Sequence, residues 1–425
     1  MTTFKKQMVA AVSASVMFLS LAAPVFAETT IVISGNGAES ENEADVQFTG
    51  ATTVVQTNQA SISNNIDADA DTGENDANQN TGGSVLVKTG DAITGVKVEN
   101  VVNSNQASVD CCPAGDTDIE ISGNGAESEN EVELKNDADI NLFQTNQAQI
   151  YNRVDAEAET GENDANQNTG GDVQVKTGNA STWVGVTNTA NANWAQIGDG
   201  NQGSLSAQIL GNGFKSDNDI VLDLDNDTML VQTNLADITN YIYADAETGE
   251  NDANQNTGGD VLVDTGDAET GVEVDNMVNF NWADVDCGGC VLDLLAKVAG
   301  NGAETENEIE LKLDNDLTVH QTNECGDEKK RAWPELWDHR GYREDCSTRV
   351  DADAETGEND ANQNTGDPEG DPSVLTGDST SLVEVSNSGN VNSYGVDGGL
   401  EWPDFDFEFN LSLNLNQLLS LLNLI

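Results

Sequence analysis

Apolar and polar positions alternate along most of this chain. Ile66-Asp67-Ala68-Asp69-Ala70-Asp71 and Val96-Lys97-Val98-Glu99 put apolar side chains on one face and polar ones on the other. That period of two is the mark of a half-buried strand. Turns such as Thr72-Gly73 and Thr89-Gly90-Asp91 bound the runs, and no run of helical spacing occurs between residues 28 and 400. The pattern predicts an all-β chain of short strands joined at Gly-rich corners. Its inward positions are largely Ala and Val, so each strand offers only a thin apolar face.

The alternation is copied four times. TGENDANQNTGG begins at Thr72, Thr160 and Thr248, and TGENDANQNTG at Thr356. GNG begins at Gly35, Gly123, Gly211 and Gly300, and QTN at Gln56, Gln144, Gln232 and Gln321. The first three copies are spaced by 88 residues, and the fourth gains about 20 residues before Thr356. This divides the chain into repeats at 28–118, 119–206, 207–294 and 295–400, with an insertion at 325–346 in the fourth and a tail at 401–425. A second similarity lies inside each copy: Asn58-Gln59-Ala60-Ser61-Ile62 returns as Asn105-Gln106-Ala107-Ser108-Val109. It suggests like-on-like stacking of shorter units. Four coils of about 22 residues per copy then predict a β-solenoid. Four separate β-sandwich beads compete with it, as does a chain that stays unfolded until it meets calcium.

Composition supports a fold with little core volume. Against 76 Asp+Glu stand 16 Lys+Arg, a formal net charge of −60, and aromatics are only 5%. Such a charge repels phosphate backbones and anionic bilayers, which excludes nucleic-acid binding and polybasic membrane docking. Lys5 and Lys6, the apolar run Met8–Phe26 and Val25-Phe26-Ala27 form a signal peptide over 1–27. No later run predicts a transmembrane helix, so a secreted or cell-surface protein is expected.

The Asn-x-Ala steps Asn58/Ala60, Asn105/Ala107, Asn146/Ala148 and Asn193/Ala195 resemble those of the Asn/Gly/Ala-rich repetitive surface proteins that bacteria export. More distantly they are similar to curlin-like fibre repeats. That resemblance implies Asn side chains stacked into hydrogen-bonded ladders with Ala packed inside.

Carboxylates recur at one place in each copy: Asp67, Asp69, Asp71; Asp155, Glu157, Glu159; Asp245, Glu247; and Asp351, Asp353, Glu355. Tyr243 stands where the third copy's first acid would fall. Hard oxygens at this density suit calcium, the one cofactor expected, and equally suit a solvated outer face. Polar residues copied four times argue against an enzyme, since an active site is needed once. Six cysteines in an exported chain favour disulfides, with Cys287–Cys290 closing a small loop and Cys325–Cys346 a larger one. Cys111 and Cys112 stay unassigned.

The 325–346 loop is basic and aromatic, a candidate contact for a glycan or a surface protein. The tail alternates strictly through Phe405, Phe407, Phe409, Leu411, Leu413 and Leu415, which suits a cap in cis, a strand donated to the next copy, or a barrel-type or envelope-anchoring segment. The expectation is therefore a non-enzymatic structural protein that assembles with itself, with an adhesin presenting the 325–346 loop as the alternative.

Overall fold

The computed structural model describes residues 16–21, 29–110, 116–198, 204–286, 293–326, 346–366 and 372–395. Within them the chain is all-β, and every strand pairing is parallel. No described helix is long and apolar enough to cross a membrane. The first repeat supplies β2 (Thr29–Ser34), β3 (Glu41–Asp71), β4 (Val85–Lys88) and β5 (Ala92–Val109), and the second β6 (Thr117–Ser122), β7 (Glu129–Gly161), β8 (Val173–Lys176) and β9 (Ala180–Ile197). The third supplies β10 (Ser204–Leu210), β11 (Asp217–Asp225), β12 (Thr228–Gly249), β13 (Val261–Asp264) and β14 (Ala268–Val285). The fourth adds β15 (Asp293–Ala299), β16 (Glu306–Asp314), β17 (Leu317–Cys325), β18 (Ser347–Gly357), β19 (Ser373–Leu375) and β20 (Ser379–Tyr394).

Each strand pairs with its equivalent one repeat away. Gln56 lies beside Gln144, Gln144 beside Gln232 and Gln232 beside Gln321. One 88-residue repeat is thus one layer, or rung, and the expected division into coils of about 22 residues does not occur. The reason lies in the turns. They cluster around residues 35–40, 72–84 and 89–91, whereas β3 runs for 31 residues with a single glycine, Gly50, inside it. Nothing within such a run bends the chain back.

The repeated Asn-x-Ala segments are not stacked on each other; they meet across the interior at their asparagines alone. Asn58 on β3 donates to Asn105 on β5 at 2.9 Å, and Asn64 donates to Asn100 at 3.1 Å. As one partner's number rises the other's falls, so the two strands run in opposite directions across the interior. A bulge makes the match possible. Asn103 has φ 61°, and Asn191, Asn279 and Asn390 repeat it at 63°, 62° and 55°. This left-handed residue switches the inward set from Val96, Val98, Asn100 and Val102 to Asn105, Ala107 and Val109.

The core is a series of thin aliphatic layers. Ile31 and Ile33 on β2 pack with Ala44, Val46 and Phe48 at the start of β3, along with their equivalents in later rungs. Ala60, Ile62 and Val102 belong to another layer, and Ile66, Ala68, Val96 and Val98 to a third. The apolar segment read as part of the signal peptide contains β1 (Val16–Leu21), which pairs with the outer edge of β5 from Ser104 to Val109.

Close stacking leaves no room for a side chain at one corner. A Cβ built on Gly73, Gly161 or Gly249 would strike the carbonyl of the equivalent glycine in the next rung, whereas at Gly357 it meets nothing within 4 Å. Gly161→Ala should therefore cost about 2–4 kcal/mol of stability, the range of severe overpacking. Gly357→Ala should leave the melting temperature of dilute protein near that of the parent. Equal effects of the two substitutions would contradict the in-register stack.

Candidate functional site

The most distinctive chemistry is buried amide. Asn58, Asn146, Asn234 and Asn323 form one file, and Asn105, Asn193, Asn281 and Asn392 face it from the other sheet. Along the first file Nδ2 donates to the next Oδ1 at 3.1, 3.1 and 3.0 Å. Along the second the distances are 2.9, 2.9 and 2.8 Å. Rungs are also tied crosswise, since Asn105 donates to Asn146 at 3.0 Å and Asn193 to Asn234 at 2.9 Å. Asn64, Asn152 and Asn240 repeat the scheme with Asn100, Asn188 and Asn276. The glutamine file runs in the opposite sense, with Gln144 donating to Gln56 at 2.7 Å and Gln232 to Gln144 at 2.8 Å. The ladder arrangement implied by the Asn-x-Ala steps is thus present; Asn64, Asn100 and the bulge Asn103 were not singled out, though each recurs with the repeat.

The acid runs fall on the outer face of the long sheet. Asp67, Asp155, Tyr243 and Asp351 share one register position; Asp69, Glu157, Asp245 and Asp353 share the next; and Asp71, Glu159, Glu247 and Glu355 a third. Neighbours in a column lie about 4.8 Å apart along the stack, so like charges repel. Glu159 is pushed up to about 7, by burial first and then by Glu162, Asp71, Glu247 and Glu157. Glu247 also reaches about 7, through burial and then Glu250, Asp245, Glu355 and Glu358. Asp71, Glu157 and Asp245 are raised as well, with burial the largest cause in each. Tyr243 is pushed up to about 12, chiefly by the charge of Asp245, to which its hydroxyl donates at 3.2 Å. Among the described residues no group of three or more His, Cys, Asp or Glu is placed to hold a metal ion.

The Cys325–Cys346 disulfide is formed, with Cα atoms 5.8 Å apart, and both residues pack against the layer holding Ala236 and Ile238. It closes the fourth repeat's insertion at its neck. Cys111, Cys112, Cys287, Cys290 and the tail residues Phe405 to Leu415 lie outside the described residues. No protein-family model, no curated protein and no solved structure matches the chain.

Two outcomes follow from this geometry. Asn146 accepts from Asn58 and Asn105 and donates to Asn193 and Asn234, so truncating it orphans groups on three rungs. Asn146→Ala should cost about 3 kcal/mol or more in denaturant unfolding, and Asn58→Ala on the first rung less. Glu159 and Glu247 bind protons more tightly folded than unfolded, where a carboxyl titrates near its ordinary value of about 4.3. Their contribution is most favourable at low pH and is lost as pH rises through about 7. The melting temperature should therefore fall between about pH 5 and pH 8. Glu159→Gln with Glu247→Gln should flatten that slope, and an unchanged slope would contradict the assignment.

Proposed function

We propose that the chain is an exported, non-enzymatic structural protein of the cell surface or extracellular matrix. In this reading it is a four-rung β-solenoid whose copies stack end to end into rods or fibres. The support is the state of the last rung. Each rung's inward side chains are covered by the rung that follows, and the fourth has no following rung among the described residues. Val385 is 43% exposed where Val274, one rung earlier, is 0%; Val374 is 42% exposed where Val263 is 0%. Soluble monomers rarely leave strand edges and a contiguous apolar end face uncovered together.

The ladders have a polarity. Asparagine donors point toward the fourth rung, where Asn323 turns its Nδ2 to Val391 O and Asn392 Oδ1 and Asn392 turns its own to Gln321 O, so the end of each file is closed within the last rung. Heterologous end-to-end stacking does not close on itself and grows as a filament. The 30 residues beyond Gly395 include the alternating tail, which is the rival means of covering the end.

Gly357 separates these arrangements. A methyl there has room in the single copy, yet in a stacked joint it would meet the carbonyl of the incoming Gly73. Wild-type protein should form filaments in negative stain once salt screens its charge. Gly357→Ala should fold normally and form none, and a chain ending at Gly395 should still form them. Filaments unaffected by Gly357→Ala but lost with the tail would make the tail the joint. Absence of filaments from every form would overturn the fibre reading.

A further inference from the structure

One patch on the outer face of the long sheet breaks the acidic pattern. Arg153, Tyr241 and Arg349 come from successive rungs and share one register position, and Asp155, Tyr243 and Asp351 share the position two residues on. These six side chains line a surface groove of about 330 Å³, within the roughly 300–1,000 Å³ of small-ligand clefts. Tyr151 stands beside Tyr241, with ring centroids 5.9 Å apart and planes tilted by 55°. Three of the chain's five tyrosines therefore gather here, on a sheet face otherwise dominated by short polar and acidic residues. The arginines are as localised. Arg153 and Arg349 flank Tyr241, and the remaining three, Arg331, Arg340 and Arg343, belong to the disulfide-closed insertion that leads directly into β18 and Arg349.

The charges are arranged to meet a ligand of mixed character. Arg153 approaches Asp155 at 3.8 Å, a loose pair with both side chains well exposed. Arg349 has no ion pair within 4 Å among the described residues. Tyr243 replaces a carboxylate in its column, and its ring is exposed. The groove thus combines aromatic faces, guanidinium donors and two carboxylate acceptors. A bare anion would satisfy the arginines but would leave the carboxylates and the tyrosine faces unmet. A neutral sugar would satisfy the rings and carboxylates and leave Arg349 idle. A sugar ring carrying a carboxylate answers all three features: its C–H face lies on tyrosine, its carboxylate takes the guanidinium fork, and its hydroxyls donate to Asp155 and Asp351.

We propose that this groove binds an acidic sugar, a hexuronate unit of an anionic polysaccharide. The site goes beyond the structural role and holds whether or not copies stack. It would tie a rod to a charged matrix at one defined place.

The test is calorimetric titration of the full chain at low salt with trigalacturonate, and with cellotriose as the uncharged probe. Trigalacturonate should bind, and cellotriose should bind at least about tenfold more weakly. Arg349→Gln and Tyr241→Ala should each weaken trigalacturonate by about tenfold or more, with melting temperatures unchanged because both side chains lie on the outer face. Arg349→Lys should recover part of the loss by restoring the charge without the fork. No binding of trigalacturonate, equal affinity for the two probes, or unaltered affinity in both variants would overturn the proposal. So would a loss confined to the combined Arg331→Gln, Arg340→Gln and Arg343→Gln variant, which would move the ligand onto the insertion.

Discussion

A buried primary amide brings two donors and an acceptor that must find partners, and in this molecule the next rung's equivalent amide is the partner that fits. Asn146 illustrates the constraint, bonded at once to Asn58 below, Asn234 above and Asn193 across the interior. A shift of register by one residue would turn every such amide outward and set apolar side chains against solvent. A shift by two would oppose amide to alanine or valine and leave buried donors unmet, each at about 1–3 kcal/mol. The ladders thus select one register, parallel and in step. They also account for a sequence that copies its polar residues as carefully as its apolar ones. In exchange the fold needs little core volume, which suits a chain with 5% aromatic residues.

The same register that satisfies amides also stacks carboxylates, and location decides which effect prevails. Asn and Gln ladders lie in the dry interior, where a low dielectric strengthens each bond and every rung adds another. The acid columns lie on the outer face, where water and salt screen the repulsion over about 8–10 Å. Partial burial first, and then the neighbouring carboxylates, hold Glu159 and Glu247, on interior rungs, near 7, far above ordinary carboxyls. Tyr243 interrupts one column and lightens the load there. Stability and solubility are therefore set by opposite faces of the same strands.

Much of this was legible in the residues. Period-two alternation with Gly-rich corners gave the all-β class, and the 88-residue spacing gave the unit that pairs. The size of the coil was not legible, because the near-repetition of Asn58–Ile62 at Asn105–Val109 mimics a shorter repeat. Those segments meet only at Asn58 and Asn105, 47 residues apart in sequence, and diverge from there, Ala60 and Ile62 packing with Val102 and Ala107 and Val109 with Val54. The bulge at Asn103, which lets Asn100 and Asn105 both face inward, has no local signature beyond an asparagine among many. The Arg153–Tyr241–Arg349 groove was hidden for a related reason. Its residues come from three repeats, and only the register brings them together, whereas the basic and aromatic side chains that lie close in sequence are those of the 325–346 insertion.

Ladders, acid columns and groove all require that one repeat make one layer. The direct measurement is the distance between nitroxide labels placed on outer-face positions Gln147 and Leu235, which share a register position on adjacent rungs. In-register rungs place those two backbones about 5 Å apart, and the spectrum should show strong dipolar broadening. Coils of about 22 residues would separate them by four layers, about 19 Å, and a spectrum free of that broadening would contradict the structure described above.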